Sequence, residues 1–211
     1  LTQFQPPHPF ESRPDTSSRT DLRRHLRQKR RALSAEQQQQ AAEHLALNLL
    51  ANPDLHRARH IGIYLANDGE INPQLYIDLG RRKRMQFYLP VLHPVYPGKL
   101  AFSPFLTSTP LTTNRFGIPE PPFPGSRQRP VWALDAVLFP LVSFDEKGGR
   151  LGMGGGFYDR TFAFSRERPA IAPKLIGLAH DFQKVRELPI EAWDVPLHSV
   201  VTDRCCYRFR A

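Results

Sequence analysis

The sequence predicts an α/β fold, a single domain in which a mostly parallel sheet is flanked by helices, and three observations carry that prediction. Short apolar runs of strand length alternate with stretches of helical periodicity along the chain. One run, Leu134-Asp135-Ala136-Val137-Leu138-Phe139-Pro140-Leu141-Val142, is almost continuously apolar, the pattern of a strand covered on both faces. Downstream of it, six of the 13 glycines fall within the nine residues 148–156, where a loop entering a helix from such a strand places ligands in α/β proteins.

The elements follow in order. Residues 1–17, with Pro6, Pro7, Pro9 and Pro14 among polar neighbours, read as a flexible tail, and residues 18–211 as the folded domain. Ser18 and Asp21 form a capping pair at the start of a helix that sets Leu22 and Leu26 on its core side and Arg19, Arg23 and Arg27 along another stripe. Ser34 with Gln37 is a capping box opening a second helix through Ala41, Leu45 and Leu49 to Asn52-Pro53. His60 to Leu65 reads as a buried strand. Asn72-Pro73 then opens a helix as cap and first residue, closed by Arg81-Arg82-Lys83-Arg84, where cations favour the dipole. Strands are expected at Met85–Val91 and Leu100–Phe105, and a long Pro-rich functional loop over Thr107–Pro130. Beyond the glycine loop come a helix from Phe157, a strand at Leu175–Leu178 and a closing strand near Ser199–Thr202.

Composition narrows the function classes. The 211 residues can bury one sizeable core, and 40% apolar content with 14 Phe argues against disorder. The formal charge is +9, and the segment from Arg19 to Arg31 carries seven basic residues against the single acid Asp21. That balance favours polyanionic partners: nucleic acid, anionic lipid, or a phosphorylated and carboxylated small molecule. Cys205 and Cys206, adjacent and without a second pair, make neither a disulfide framework nor a zinc set, which suits a reducing cytoplasm. No apolar run is long enough to span a membrane.

Glycine at this density lets backbone amides wrap an anion, with Arg150 or Arg160 adding charge-assisted hydrogen bonds. The loop fits neither the dinucleotide nor the P-loop fingerprint. The third glycine of the first would fall on Phe157, and no Gly-Lys-Ser/Thr follows. A glycine-rich turn or linker is the plain alternative.

Several separated motifs combine with this loop. They are Arg150 to Asp159, as R-L-G-x-G-x-G-[YF]-Y-D; Arg19 and Arg23 ahead of Ala32-Leu33-Ser34; Tyr64-Leu65 followed by Glu70; Phe116-Gly117-Ile118-Pro119-Glu120-Pro121; and Trp193-Asp194-Val195-Pro196. In order and spacing the chain resembles the 5-formyltetrahydrofolate cyclo-ligase (methenyltetrahydrofolate synthetase) family from residue 19 to about 203. The resemblance implies a single three-layer, Rossmann-like domain that uses ATP and Mg²⁺ to cyclise 5-formyltetrahydrofolate to 5,10-methenyltetrahydrofolate, in the cytoplasm, with no membrane or nucleic-acid partner. A monomer is expected, a dimer being left open.

The same resemblance implies the site. ATP would be held by Arg19 and Arg23 and by Arg150, Leu151, Gly152, Met153, Gly154, Gly155, Gly156, Phe157 and Tyr158. Folate would meet Leu65, Glu70, Phe116 and Tyr158. Asp159 and Asp194 would ligate Mg²⁺, and Tyr158 and Arg150 would act on the reacting oxygens. Read from the residues alone, Arg19 and Arg23 are first a solvated helix face, Glu70 a loop acid, Asp159 a complement to a helix dipole, and Asp194 the start of a turn. His180, beside Asp181, reads as a satisfied structural histidine. A nucleic-acid-binding protein, or a sugar-phosphate isomerase or CoA-transferase-like enzyme on a related scaffold, are the competing classes.

Overall fold

The computed structural model describes residues 18–188, 191 and 193–209, so the tail expected at 1–17 lies outside the described residues. The chain opens with α1 (Arg19–Arg31), whose cap Ser18 accepts from the Asp21 amide, and α2 (Ala35–Ala51), started by the reciprocal Ser34–Gln37 capping box. β1 (His60–Gly62), α3 (Gln74–Arg82), β2 (Gln86–Leu92) and β3 (Leu100–Pro104) follow. The 107–130 segment holds only the two-residue strands β4 (Thr112–Thr113) and β5 (Pro119–Glu120) and one 3-10 turn at Gly125–Arg127. β6 (Ala136–Pro140), the hairpin β7 (Ser143–Phe144) and β8 (Arg150–Leu151), α4 (Phe157–Phe162) and α5 (Phe164–Glu167) lead to β9 (Lys174–Leu178), β10 (Ser199–Val201) and β11 (Cys206–Arg208).

Seven strands form one sheet in the order β11-β10-β9-β6-β1-β2-β3. The five inner strands are mutually parallel, and each edge is an antiparallel strand, β3 on β2 and β11 on β10. The period-two alternation of side chains sorts the core into two layers. Ile61, Ala136, Leu138 and Ile176 face α2 and α3, burying Leu45, Leu49, Tyr76 and Ile77. Val137, Phe139, Leu175 and Val200 face the other way, against Phe162 of α4 and Leu197. The result is the three-layer α/β domain expected from the alternating pattern.

Two local expectations change, and two features are added. α3 begins at Gln74, one residue later than expected, because Asn72 Oδ1 caps the Gln74 amide at 2.9 Å with Pro73 outside the helix. Arg150 and Leu151, read as loop, are strand β8, paired with Phe144 and Ser143, which shortens the free glycine loop to 152–156. The helix expected from Phe157 is present and runs six residues, with α5 following directly after Ala163. β11 had no expectation, because Cys206-Tyr207-Arg208 lacks an alternating apolar pattern. No helix among the described residues is long and apolar enough to cross a membrane.

Candidate active site

A cleft of about 1160 Å³ opens beyond the C-terminal ends of β1, β2 and β6. Every residue singled out in the sequence as a contact borders it except Leu151, which is buried in β8. α1 brings four of its six arginines inward: Arg19, Arg23 and Arg27 line the cleft, and Arg30 is fully buried. The stripe is therefore a wall of the site rather than a solvated face.

At one end, Arg19 reaches Glu191 at 3.4 Å and Asp194 at 3.6 Å, while its Nε is buried without a partner among the described residues. A buried unsatisfied donor beside a cleft is the mark of a missing acceptor. Arg23 Nε donates to the Gly152 carbonyl at 2.9 Å, tying helix to loop. Gly154 (φ +93°) and Gly156 (φ +61°) take left-handed backbone that side chains resist, and a Cβ added at Gly152 would meet open space. The loop thus bares its main chain to the cleft.

Arg150 borders the cleft but is mostly covered. Its guanidinium donates to the Val195 carbonyl and to Asp159 Oδ1. Burial lowers its pKa, an effect opposed by the charges of Asp159 and Asp194. It organises the Asp159 side of the site. Asp159 Oδ1 also accepts from the Val195 amide at 3.2 Å, and Asp194 Oδ2 from the Glu191 amide at 3.0 Å. The second oxygen of each carboxylate has no partner among the described residues. Those residues hold no cluster of three or more His, Cys, Asp or Glu that would enclose a cation. Two hard carboxylates with oxygens to spare nevertheless fit Mg²⁺, which takes one or two acids and completes its shell with phosphate and water.

The other end is aromatic and acidic. Tyr158 stacks on Phe139, with centroids 4.8 Å apart and planes at 20°. Burial, and then the Glu70 charge, raise its pKa, so its hydroxyl is a donor at neutral pH. Phe116, half exposed, packs edge-on to Phe157 at 5.6 Å, and Leu65 seals the floor against the core. Glu70 sits 3.5 Å from Arg30, and its Oε2 accepts from the Asn67 amide at 3.1 Å. Burial dominates and lifts its pKa to about 7 despite Arg30.

That shift has a measurable sign. Folded Glu70 keeps a proton that the unfolded chain gives up above about pH 4.5, so it withdraws stability as pH rises from there to about 7. Relative to wild type, Glu70→Gln should gain stability between pH 5 and pH 8, on the order of 3 kcal/mol if the whole shift is expressed. Thermal melts of both proteins across that range test it, and a constant difference would refute the buried-carboxyl account.

Sequence reasoning missed the residues that hold this end in place. Asp68, itself left-handed at φ +55°, binds Arg27 at 2.8 Å, Arg30 at 2.7 Å and Arg31. Desolvation works to raise its pKa, but those three arginines outweigh it and bring it down to about 2. His180 is buried with Nε2 at 3.2 Å from the Gly69 carbonyl, the structural role expected of it. The adjacent Asp181 faces elsewhere, accepting from Thr202 and Tyr207.

A mostly parallel α/β sheet thus brings an arginine and glycine end and a buried acid and aromatic end together in one cleft. Residues 15–203 match the profile of the 5-formyltetrahydrofolate cyclo-ligase family, and the chain belongs to that family. It is 42% identical to the 5-formyltetrahydrofolate cyclo-ligase of Escherichia coli over 84% of this chain and 96% of that one. With the Haemophilus influenzae cyclo-ligase it shares 40% identity over 89% of this chain and 98% of the relative. The solved 5,10-methenyltetrahydrofolate synthetase of Aquifex aeolicus superposes with a TM-score of 0.74 at 27% identity, covering 92% of this chain and 93% of that one.

Proposed function

We propose that this chain cyclises 5-formyltetrahydrofolate to 5,10-methenyltetrahydrofolate at the expense of MgATP. The observation that carries the reading is the continuity of the cleft, in which the arginine and glycine end and the aromatic end with Tyr158 and Glu70 share one lining. Two substrates held there meet at one hydroxyl donor.

In this reading Arg19 and Arg23 grip the phosphates, and the bared amides of 152–156 wrap them from the other side. The unpaired Arg19 Nε gains its acceptor. Glu70 accepts from the pterin N–H groups, and Leu65, Phe116 and Phe157 close on the ring. The formyl oxygen attacks the γ-phosphorus, ADP leaves, and an N5-iminium phosphate forms. The nitrogen at position 10 then attacks the formyl carbon, the C–O bond breaks, phosphate leaves with the former formyl oxygen, and the attacking nitrogen loses its proton. Tyr158 donates to the oxygen in flight; Arg150, locked by Val195 and Asp159, keeps Asp159 aimed at the phosphates. Mg²⁺, held by Asp159 and Asp194, would neutralise charge on the transferring group. No side chain needs to act as a nucleophile; positioning and charge do the chemistry.

The test is to supply purified protein with both substrates and follow the near-ultraviolet absorbance of the conjugated methenyl product, with ATP or Mg²⁺ omitted in turn. Product that appears only when all three are present supports the proposal. A flat trace from folded, nucleotide-binding protein contradicts it.

A further inference from the structure

We infer that Arg30 and Asp68 are positioning residues that couple the two halves of the cleft, so that a nucleotide on the glycine loop and a folate at Glu70 tighten each other's binding. The identity of the two ligands rests on the proposed function; the linkage rests on the following contacts.

Arg30 is fully buried and its guanidinium is committed in both directions. Toward the folate end, it donates to the Asp68 carbonyl and to Asp68 Oδ2, both at 2.7 Å, and lies 3.5 Å from Glu70. Toward the nucleotide end it meets the Leu141 carbonyl at 3.3 Å and Met153 Sδ, within the glycine loop, at 3.9 Å. Two turns back along α1, Arg23 holds the Gly152 carbonyl of the same loop. One helix therefore grips the loop with its first half and the 67–70 turn with its second.

The turn cannot adjust independently. Asp68 and Gly69 (φ +74°) both occupy left-handed backbone, and a Cβ at Gly69 would lie 2.8 Å from the Arg30 carbonyl oxygen. Gln38 and His180 each approach the Gly69 carbonyl at 3.2 Å, and Gln38 also donates to the Arg30 carbonyl. A turn pinned this way follows α1 rather than absorbing its movement, because packed interiors shift between arrangements instead of yielding continuously. Ordering the loop around phosphate fixes Arg23, Met153 and Arg30, and with them the aim of Glu70. Linkage makes the effect reciprocal.

The experiment is calorimetric titration of the full chain with 5-formyltetrahydrofolate, with and without a saturating magnesium complex of a non-hydrolysable ATP analogue, and then in the reverse order. Wild type should show each ligand lowering the other's Kd by the same factor, about 5- to 50-fold. Asp68→Asn, which tolerates the left-handed backbone, should bring that factor close to 1 while changing the analogue's Kd alone by less than about threefold. Met153→Ala cuts the link from the exposed loop side without touching the core, and should lower the factor as well should Asp68→Asn fail to fold. A merely structural Asp68 would lower the melting temperature and weaken folate binding yet leave the factor at its wild-type value, which overturns the inference. So does a wild-type factor of 1 with both ligands bound. Wild type that binds neither ligand overturns the proposed function itself.

Discussion

Asp159→Asn is expected to lower kcat/KM by on the order of 10²–10³-fold, the size of loss seen when one preorganised stabilising group is removed from an active site. The substitution separates two roles. Asparagine keeps an oxygen for the Arg150 guanidinium and the Val195 amide, so the local fold is retained. It cannot offer the second anionic oxygen that a hard cation needs. If Asp159 holds the metal, the Mg²⁺ concentration giving half-maximal rate rises while the melting temperature moves little. If Asp159 serves only as the partner of Arg150, activity falls less than about tenfold and the Mg²⁺ dependence stays where it was.

Arg30→Met should be the most damaging single change to stability, about 3–5 kcal/mol, or roughly 10 °C in melting temperature for a domain of this size. Methionine fills much of the volume, so a cavity is a minor part of the cost. The loss comes from Asp68 and Glu70, whose carboxylates stay partly buried once the cation between them is gone. Because Glu70 then lacks its nearest positive charge, its pKa climbs further and the destabilisation is worse at pH 8 than at pH 5. Thermal melts at the two pH values check both statements; a loss under about 1 kcal/mol would mean that Arg27 and Arg31 alone hold the turn.

Much of this was written plainly in the sequence. Capping pairs at Ser18 and Ser34 mark helix starts to the residue, since they are local hydrogen bonds between near neighbours. The run at 134–142 foretold a central strand because a strand covered on both faces has no polar side to show. The glycine-dense loop and the arginine stripe were visible as separate features, and the motif spacing joined them.

What stayed hidden depends on contacts distant in sequence. Helical spacing puts Arg30 one turn beyond Leu26 on the core side, but that a guanidinium can be buried there follows only from Asp68, 38 residues later, and from Leu141, 111 residues away. Arg150 looks like a free phosphate ligand until β8 turns it against Val195. In Asn67-Asp68-Gly69-Glu70 a turn was legible, and Asp in left-handed backbone is common enough to be anticipated. That the turn carries a carboxyl with a pKa near neutrality was not, because burial is a property of the assembled cleft.

The central claim is that ATP activates the formyl oxygen itself. It is tested most directly by supplying 5-formyltetrahydrofolate labelled with heavy oxygen in the formyl group and weighing the inorganic phosphate released during a single turnover. The account predicts one labelled oxygen in each phosphate formed, matched one to one by methenyl product. Unlabelled phosphate from the same reaction would mean that water, not the substrate, attacks the nucleotide, and would contradict it.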